Sequence, residues 1–122
     1  KNILFLKSYY TVFAHLTFFN MSVIMNFAIF PIDKGDHIGE YVSKVVEHIK
    51  NSGLKYQFSP MGTIIEGDTV PELLDIVKDA YKIMDPISDR IYCTMSMDYN
   101  KNKTDLIKSK RESIEKRIGK VD

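Results

Sequence analysis

Glu66 is the side chain with the clearest potential for chemistry, because it is a carboxylate in an otherwise apolar run between Ile65 and Gly67. A carboxylate that points into a groove can receive a cation or a nitrogen donor through charge-assisted hydrogen bonds. An exposed charge on a strand edge is the alternative, and the residues alone leave both interpretations open. Thr63 lies three residues earlier, so in a regular strand the two side chains face opposite ways.

Aromatic side chains precede this carboxylate in the chain. Tyr56 and Phe58 are two residues apart, so in a strand they share one face. There they can stack on a flat or cationic ligand. Packing in the hydrophobic core is the alternative for both residues, and it is the interpretation that we favour for Phe58.

The chain lacks the usual sequence signatures of catalysis. It contains no phosphate-binding loop, no Gly-x-Gly-x-x-Gly and no Cys-x-x-Cys, and His15, His37 and His48 are isolated from one another. Cys93 alternates with polar residues on a predicted core face, which is typical of a small buried side chain. We therefore expect no enzymatic activity, no catalytic residue and no metal site.

Length and composition indicate one globular domain. The chain has 122 residues, 44% of them apolar and 27% charged, with a formal net charge of +1. That balance gives no argument for binding nucleic acid or an anionic membrane. The tail 101–122 is basic, but pairs at helical spacing such as Lys108/Glu112 indicate a solvated, internally paired surface. One cysteine excludes an intrachain disulfide, and a reducing cytoplasm is the simplest location.

The first twenty residues differ in character from the rest. Lys1–Asn20 is rich in aromatic residues, and Ser8–Ile32 has no formal charge if His15 is neutral. That length invites a membrane-span interpretation, but polar side chains are spread throughout it. A signal peptide fits poorly because Lys7 interrupts the apolar run. We interpret residues 1–20 as an atypical extension and residues 21–122 as a single domain.

The elements that must position these side chains are centred on a hairpin. Pro60-Met61-Gly62 separates two β-forming runs, and proline with glycine marks a turn. Apolar residues at helical spacing lie on both sides of this hairpin. The predicted elements are strand 22–32, helix 38–49, strands 55–59 and 63–66, helix 69–84, strand 90–99 and helix 104–118.

This order predicts an α+β fold, the ferredoxin-like βαββαβ sandwich, with a four-stranded antiparallel sheet, two helices on one face and an added C-terminal helix. Right-handed crossovers are expected to place the first and last strands at the centre. The second sheet face stays open unless the third helix, residues 1–20 or another subunit covers it. An uncovered face that bears aromatic side chains is an interaction surface, so self-association is a hypothesis.

The sequence also resembles a known family. The matching pieces are Ile29-Phe30-Pro31, the 38–49 helix, Ser52-Gly53-Leu54-Lys55-Tyr56 and, above all, Ser59-Pro60-Met61-Gly62-Thr63-Ile64-Ile65-Glu66-Gly67. Over residues 22–118 the chain resembles the small thiamine-binding protein family of ferredoxin-like fold, the YkoF-like group. Its Pro-Met-Gly-Thr-x-x-Glu-Gly motif is fairly specific, because no generic hairpin requires all of these residues.

The resemblance implies a non-enzymatic binder of thiamine or its pyrimidine moiety that assembles as a homodimer or homotetramer, without a cofactor. Glu66 would then pair with the amino and ring nitrogens of the ligand, and an aromatic face such as Tyr56 would hold the thiazolium cation. Thr63, Ser59 and, on the polar face of the last strand, Thr94 are weaker candidates. The alternative is a structural or regulatory oligomer that has no small-molecule ligand.

Overall fold

The computed structural model describes residues 21–122, so the extension predicted for residues 1–20 lies outside the described residues. Four strands and three helices follow in the predicted order. They are β1 (Ser22–Pro31), α1 (Gly39–Asn51), β2 (Lys55–Ser59), β3 (Gly62–Gly67), α2 (Val70–Met84), β4 (Ile91–Asn100) and α3 (Leu106–Ile118). The fold is the predicted ferredoxin-like α+β fold.

The four strands form one antiparallel sheet in the order β2-β3-β1-β4. The expectation that the first and last strands lie at the centre was wrong, because β1 and β3 are central and β4 is an edge strand. The crossover through α1 leaves room beside β1, and β3 fills that position by folding back from β2 through a tight turn. The second crossover then brings β4 to the other side of β1.

The core lies between one sheet face and the two helices α1 and α2. Alternate residues of β1 point into it, and Val23, Met25, Phe27 and Ile29 are each at most 4% exposed. The helices contribute the apolar stripes that the sequence predicted, with Val45, Ile49, Leu73, Val77, Ala80 and Met84 all buried. Each fully buried aliphatic side chain of this size stabilises the fold by about 2 kcal/mol.

The third helix covers part of the opposite face. It contacts β1 and β3, and Leu106 at its start is 2% exposed, whereas Ile114 and Ile118 farther along are 48% and 72% exposed. The helix is thus anchored at its N-terminal end. Much of this sheet face remains exposed at Thr94 and its neighbours on β4.

A short polar contact ties the loop after β1 to the segment before β4. Asp33, in that loop, accepts hydrogen bonds from the Ser88 hydroxyl and from the Asp89 N–H. These two donors hold the pKa of the Asp33 carboxyl below its ordinary value of 3.8, and the Ser88 hydroxyl has the larger effect. The folded state is therefore stabilised by the ionised carboxylate.

We expect Asp33→Asn to lower the thermal midpoint of unfolding at pH 7, because the amide cannot reproduce both bonds that the carboxylate accepts. A depressed folded-state pKa stabilises the protein above the unfolded value of 3.8, and this stabilisation is lost as the pH falls through the folded-state value. Thermal melts from pH 7 to pH 2.5 should therefore show the difference between wild type and variant shrinking below about pH 4.

Asp36→Asn is the matched control for this experiment. Asp36 lies in the same loop, is exposed, and its side chain makes no hydrogen bond with the described residues. It should melt like the wild type at every pH. A constant difference between Asp33→Asn and wild type across the whole pH range would contradict the role of the ionised carboxylate.

Candidate functional site

The turn between β2 and β3 is held by its own residues. The Ser59 hydroxyl donates to the Gly62 carbonyl at 2.7 Å and accepts from the Met61 N–H at 3.3 Å. A Cβ atom at Gly62 would lie 2.7 Å from Oδ1 of Asn26 on the neighbouring strand, so a side chain there would force Asn26 to move. The Ser-Pro-Met-Gly portion of the motif is therefore required locally for a tight hairpin against β1.

This hairpin forms one wall of an apolar cavity of about 430 Å³. Its other walls are the C-terminal half of β1 and the inward face of α1. The lining residues are Phe27, Ala28, Ile29, Phe30, Ile38, Gly39, Val42, Val45, Val46, Ile49, Phe58, Ser59, Pro60, Met61, Gly62 and Thr63. None of these described residues carries a charge, so the cavity favours an uncharged, largely apolar group.

Thr63 supplies a polar group through which this cavity can contact a ligand. The residue is 4% exposed, and its hydroxyl makes no hydrogen bond with the described residues. Thr63 also lines the cavity, so its hydroxyl is a candidate hydrogen-bond partner for a ligand there. Ser59 contributes the other lining hydroxyl, but the turn already uses it.

Two apolar side chains stand at the rim of the cavity. Phe58 is 58% exposed and Met61 is 87% exposed. The favoured interpretation of Phe58 as a core residue was therefore wrong, because Phe58 lies on the edge strand β2 and more than half of it stays exposed. Tyr56 shares the face of Phe58, as predicted, but it does not line the cavity.

Glu66 lies at the other end of β3, and its side chain is on the opposite sheet face from Thr63. The register establishes this, since Thr63 pairs with the inward-facing Phe27 and Glu66 with Ile24. Glu66 is 7% exposed, so it is not the exposed edge charge that was one of the two interpretations.

Both carboxylate oxygens of Glu66 are occupied by donors from the protein. Oε2 accepts from the Ser22 hydroxyl at 2.7 Å and from the Leu106 N–H at 2.8 Å, while Oε1 accepts from the Ile107 N–H at 3.0 Å. The two N–H groups belong to the first turn of α3, where helical donors have no partner within the helix. Glu66, a residue of the sheet, thus caps the N-terminus of α3. Its negative charge interacts favourably with the positive N-terminal end of the helix dipole.

A second contact holds the same helix end. Lys55 pairs with Asp105, the residue immediately before α3, whose φ of +52° lies in the left-handed region. Their hydrogen bond raises the pKa of the Lys55 ammonium and lowers the pKa of the Asp105 carboxyl. Both side chains are more than half exposed, so solvent screens the pair and its contribution is small beside that of Glu66.

The five residues predicted for the site therefore fall into separate groups. The cavity brings together Ser59 and Thr63, whereas Glu66 lies under α3, Tyr56 lies on the β2 edge and Thr94 lies exposed on the sheet face away from α1 and α2. The sequence reasoning missed Val42 and Val46, which line the cavity from α1. Their signal was their place among the apolar residues at helical spacing in the predicted helix 38–49.

Two other kinds of site are absent from residues 21–122. No cluster of three His, Cys, Asp or Glu side chains there has a geometry that could hold a metal ion. Of the helices in the same range, none combines the length with the apolar composition needed to cross a bilayer.

Comparison with known proteins places these features in a family. The model of the thiamine-binding protein family matches residues 25–115. A UPF0045 protein of Methanocaldococcus jannaschii is 32% identical over 96 residues, which cover 79% of this chain and 95% of that protein. A UPF0045 protein of Mycobacterium bovis is 30% identical over 96 residues, covering 79% and 94% of the two chains.

Solved structures agree with this assignment. The crystal structure of a hypothetical protein from Methanocaldococcus jannaschii has a TM-score of 0.69 and 31% identity, and covers 76% of this chain and 95% of its own. A Thermotoga maritima protein, assigned provisionally to thiamine biosynthesis or salvage, has a TM-score of 0.64 at 23% identity, with 75% and 98% coverage. That second likeness shows the fold. The match over residues 25–115 and the similarity to these relatives show that the chain belongs to the thiamine-binding protein family.

Proposed function

We propose that this protein binds thiamine, or a related pyrimidine or thiazole compound, in the apolar cavity beside Thr63 and does not convert it chemically. The observation that carries the proposal is the cavity itself, about 430 Å³ in volume and formed by the hairpin that contains the family-like motif. Small-molecule sites in proteins are commonly apolar pockets of this size with a few polar groups that orient the ligand.

The chemistry of thiamine suits the two ends of this cavity. Its flat aminopyrimidine can lie against the apolar lining of Ile38, Val42 and Val46, and a ring nitrogen or amino group can hydrogen-bond the Thr63 hydroxyl. The cationic thiazolium would then extend to the rim, where the exposed ring of Phe58 offers a cation–π contact of about 0.5–1 kcal/mol. Burial of the pyrimidine supplies the larger part of the affinity.

The absence of charged groups among the described lining residues also bears on whether the cavity favours thiamine or its phosphate esters. Phosphate esters are bound in proteins by Arg, Lys or clustered backbone N–H groups. The described lining residues include no Arg or Lys, so they offer a phosphate ester no cationic side chain. They equally include no carboxylate, imidazole or thiol, which supports a binder rather than a catalyst.

We further propose that the protein works as a homodimer or homotetramer, as the family resemblance implied. The alternative function is a structural or regulatory oligomer with no small-molecule ligand. One observation favours this alternative: the motif carboxylate, Glu66, is satisfied by the protein's own donors. The cytoplasmic location stays a prediction from composition.

Calorimetric titration of thiamine into wild type, Thr63→Val and Thr94→Val tests the proposed site. Thr63→Val keeps the shape of the side chain and removes its hydroxyl. We therefore expect the dissociation constant for thiamine to rise roughly fivefold to tenfold, which corresponds to the loss of one hydrogen bond. Thr94→Val is the matched control on the exposed sheet face and should bind like wild type. Val42→Trp, which fills the cavity, should abolish binding.

Two outcomes would contradict this proposal. Equal losses in Thr63→Val and Thr94→Val would place the site elsewhere. No heat and no thermal shift with thiamine, its phosphates or its pyrimidine half would favour the ligand-free oligomer. Thermal melts of each variant establish that the chain is folded before the titrations are compared.

Glu66→Ala separates the two roles considered for this carboxylate. We propose that Glu66 stabilises α3 rather than binding the ligand, because truncation leaves two helical N–H groups and a buried hydroxyl without their acceptor. We expect a loss of about 2–4 kcal/mol in the free energy of unfolding, measured by urea denaturation.

The control is Glu112→Ala, which removes an exposed carboxylate of α3 paired with Lys108 at 3.9 Å. It should change the free energy of unfolding by less than about 0.5 kcal/mol. If Glu66→Ala is as stable as wild type but loses thiamine affinity, the carboxylate binds the ligand and does not anchor α3.

A further inference from the structure

Met61 is a large apolar side chain that the fold leaves in water. It is 87% exposed, the highest value among the large hydrophobic residues in the described part of the chain. Met25 and Met84, by contrast, are fully buried in the core. Single exposed apolar residues are common on protein surfaces, but Met61 also lines the apolar cavity. Its thioether therefore belongs to the rim of the cavity and is accessible to solvent at the same time.

The turn fixes the backbone of Met61 and leaves its side chain able to rotate. The Met61 N–H donates to the Ser59 hydroxyl at 3.3 Å, and the same hydroxyl donates to the Gly62 carbonyl at 2.7 Å. These hydrogen bonds use only the backbone of Met61. Because methionine is unbranched and has three rotatable side-chain bonds, its thioether can move from solvent onto a group bound in the cavity without any change in the turn.

The sulfur of such a side chain is also open to oxidation. A hydroperoxide transfers its terminal oxygen to the sulfur, so that the O–O bond breaks, an S–O bond forms and the sulfur loses two electrons. The proton of the transferred hydroxyl passes to the departing oxygen, which leaves as water or an alcohol. The product, methionine sulfoxide, is polar and is reduced back to methionine by methionine sulfoxide reductases.

The other sulfur-containing side chains of residues 21–122 are less accessible to such an oxidant. The remaining methionines are buried or at most half exposed, namely Met21, Met25, Met84, Met95 and Met97. Burial raises the pKa of the Cys93 thiol above its ordinary value of 9.0, which lowers the fraction of the reactive thiolate. Limiting peroxide should therefore oxidise Met61 first.

We propose that Met61 is a modification site through which hydroperoxides lower the affinity of the cavity for its ligand. The inference rests on the proposed function, because it takes this cavity as the ligand site. In the reduced protein the thioether packs against the bound ring and excludes water from the rim. In the oxidised protein the same movement brings a sulfoxide into a lining whose described residues are uncharged and mostly apolar. Removing that polar group from water without an equivalent hydrogen bond opposes closure.

Limited oxidation of the full chain followed by peptide mapping tests the site itself. The protein is treated with hydrogen peroxide for increasing times, and mass spectrometry gives the fraction of sulfoxide at each methionine. We expect sulfoxide to form severalfold faster at Met61 than at Met95. Saturating thiamine should slow the reaction at Met61 and leave the rate at Met95 unchanged. Similar rates at the two residues, or no protection of Met61 by thiamine, would overturn the proposal.

Calorimetric titration of thiamine before and after peroxide treatment tests the consequence of oxidation. For wild type we expect the dissociation constant to rise about tenfold after oxidation, and to return to its untreated value after incubation with methionine sulfoxide reductase. Met61→Leu has a similar volume and no sulfur, so its affinity should be the same before and after peroxide, whatever its starting value. Met95→Leu is the matched control and should lose affinity on oxidation as wild type does.

The outcomes distinguish this inference from the proposed function. If untreated wild type does not bind thiamine, the proposed function fails and this inference fails with it. If untreated wild type binds thiamine and the oxidised protein binds it equally well or more tightly, only this inference fails. A loss of affinity in peroxide-treated Met61→Leu equal to that of wild type would assign the effect to another residue and overturn the role of Met61.

Discussion

The unbroken pairing of β1 with both of its neighbours is the constraint on which the rest of this structure depends. Because side chains alternate along a strand, the register with β3 and β4 fixes the sheet face of every residue in these strands. The alternate apolar residues of β1, from Val23 to Ile29, are buried only in this register. A shift by one position would expose them, so the packing of α1 and α2 and the register support each other.

The same constraint divides one short motif between two tasks. Thr63 and Glu66 are three residues apart on β3 and so lie on opposite faces. The first belongs to the cavity beneath α1, and the second closes the N-terminal turn of α3. A motif that looks like one site in the sequence therefore contributes a cavity hydroxyl on one face and a helix anchor on the other. This explains how a carboxylate is accommodated within an otherwise apolar strand.

The strand order determines which surfaces are left for other molecules. With β1 and β3 central, both edges are exposed, and they differ in length and composition. The short β2 edge ends at the cavity and its rim residue Phe58, whereas the long β4 edge is apolar and unprotected. The proposed ligand site extends from the β2–β3 hairpin to the C-terminal half of β1, and β4 lies directly on the other side of β1.

The sequence alone determined the elements, their order and the ferredoxin-like fold, because hydrophobic periodicity and the Pro60–Gly62 turn are local signals. It also determined that Tyr56 and Phe58 share a face and that Thr63 and Glu66 do not. Tertiary structure decided what those faces meet. The donors to Glu66 come from residues 40 or more positions away, the cavity needs α1 to approach the hairpin, and the position of β4 depends on which side of β1 was already occupied. Such contacts join distant segments, and no local pattern in the chain encodes them.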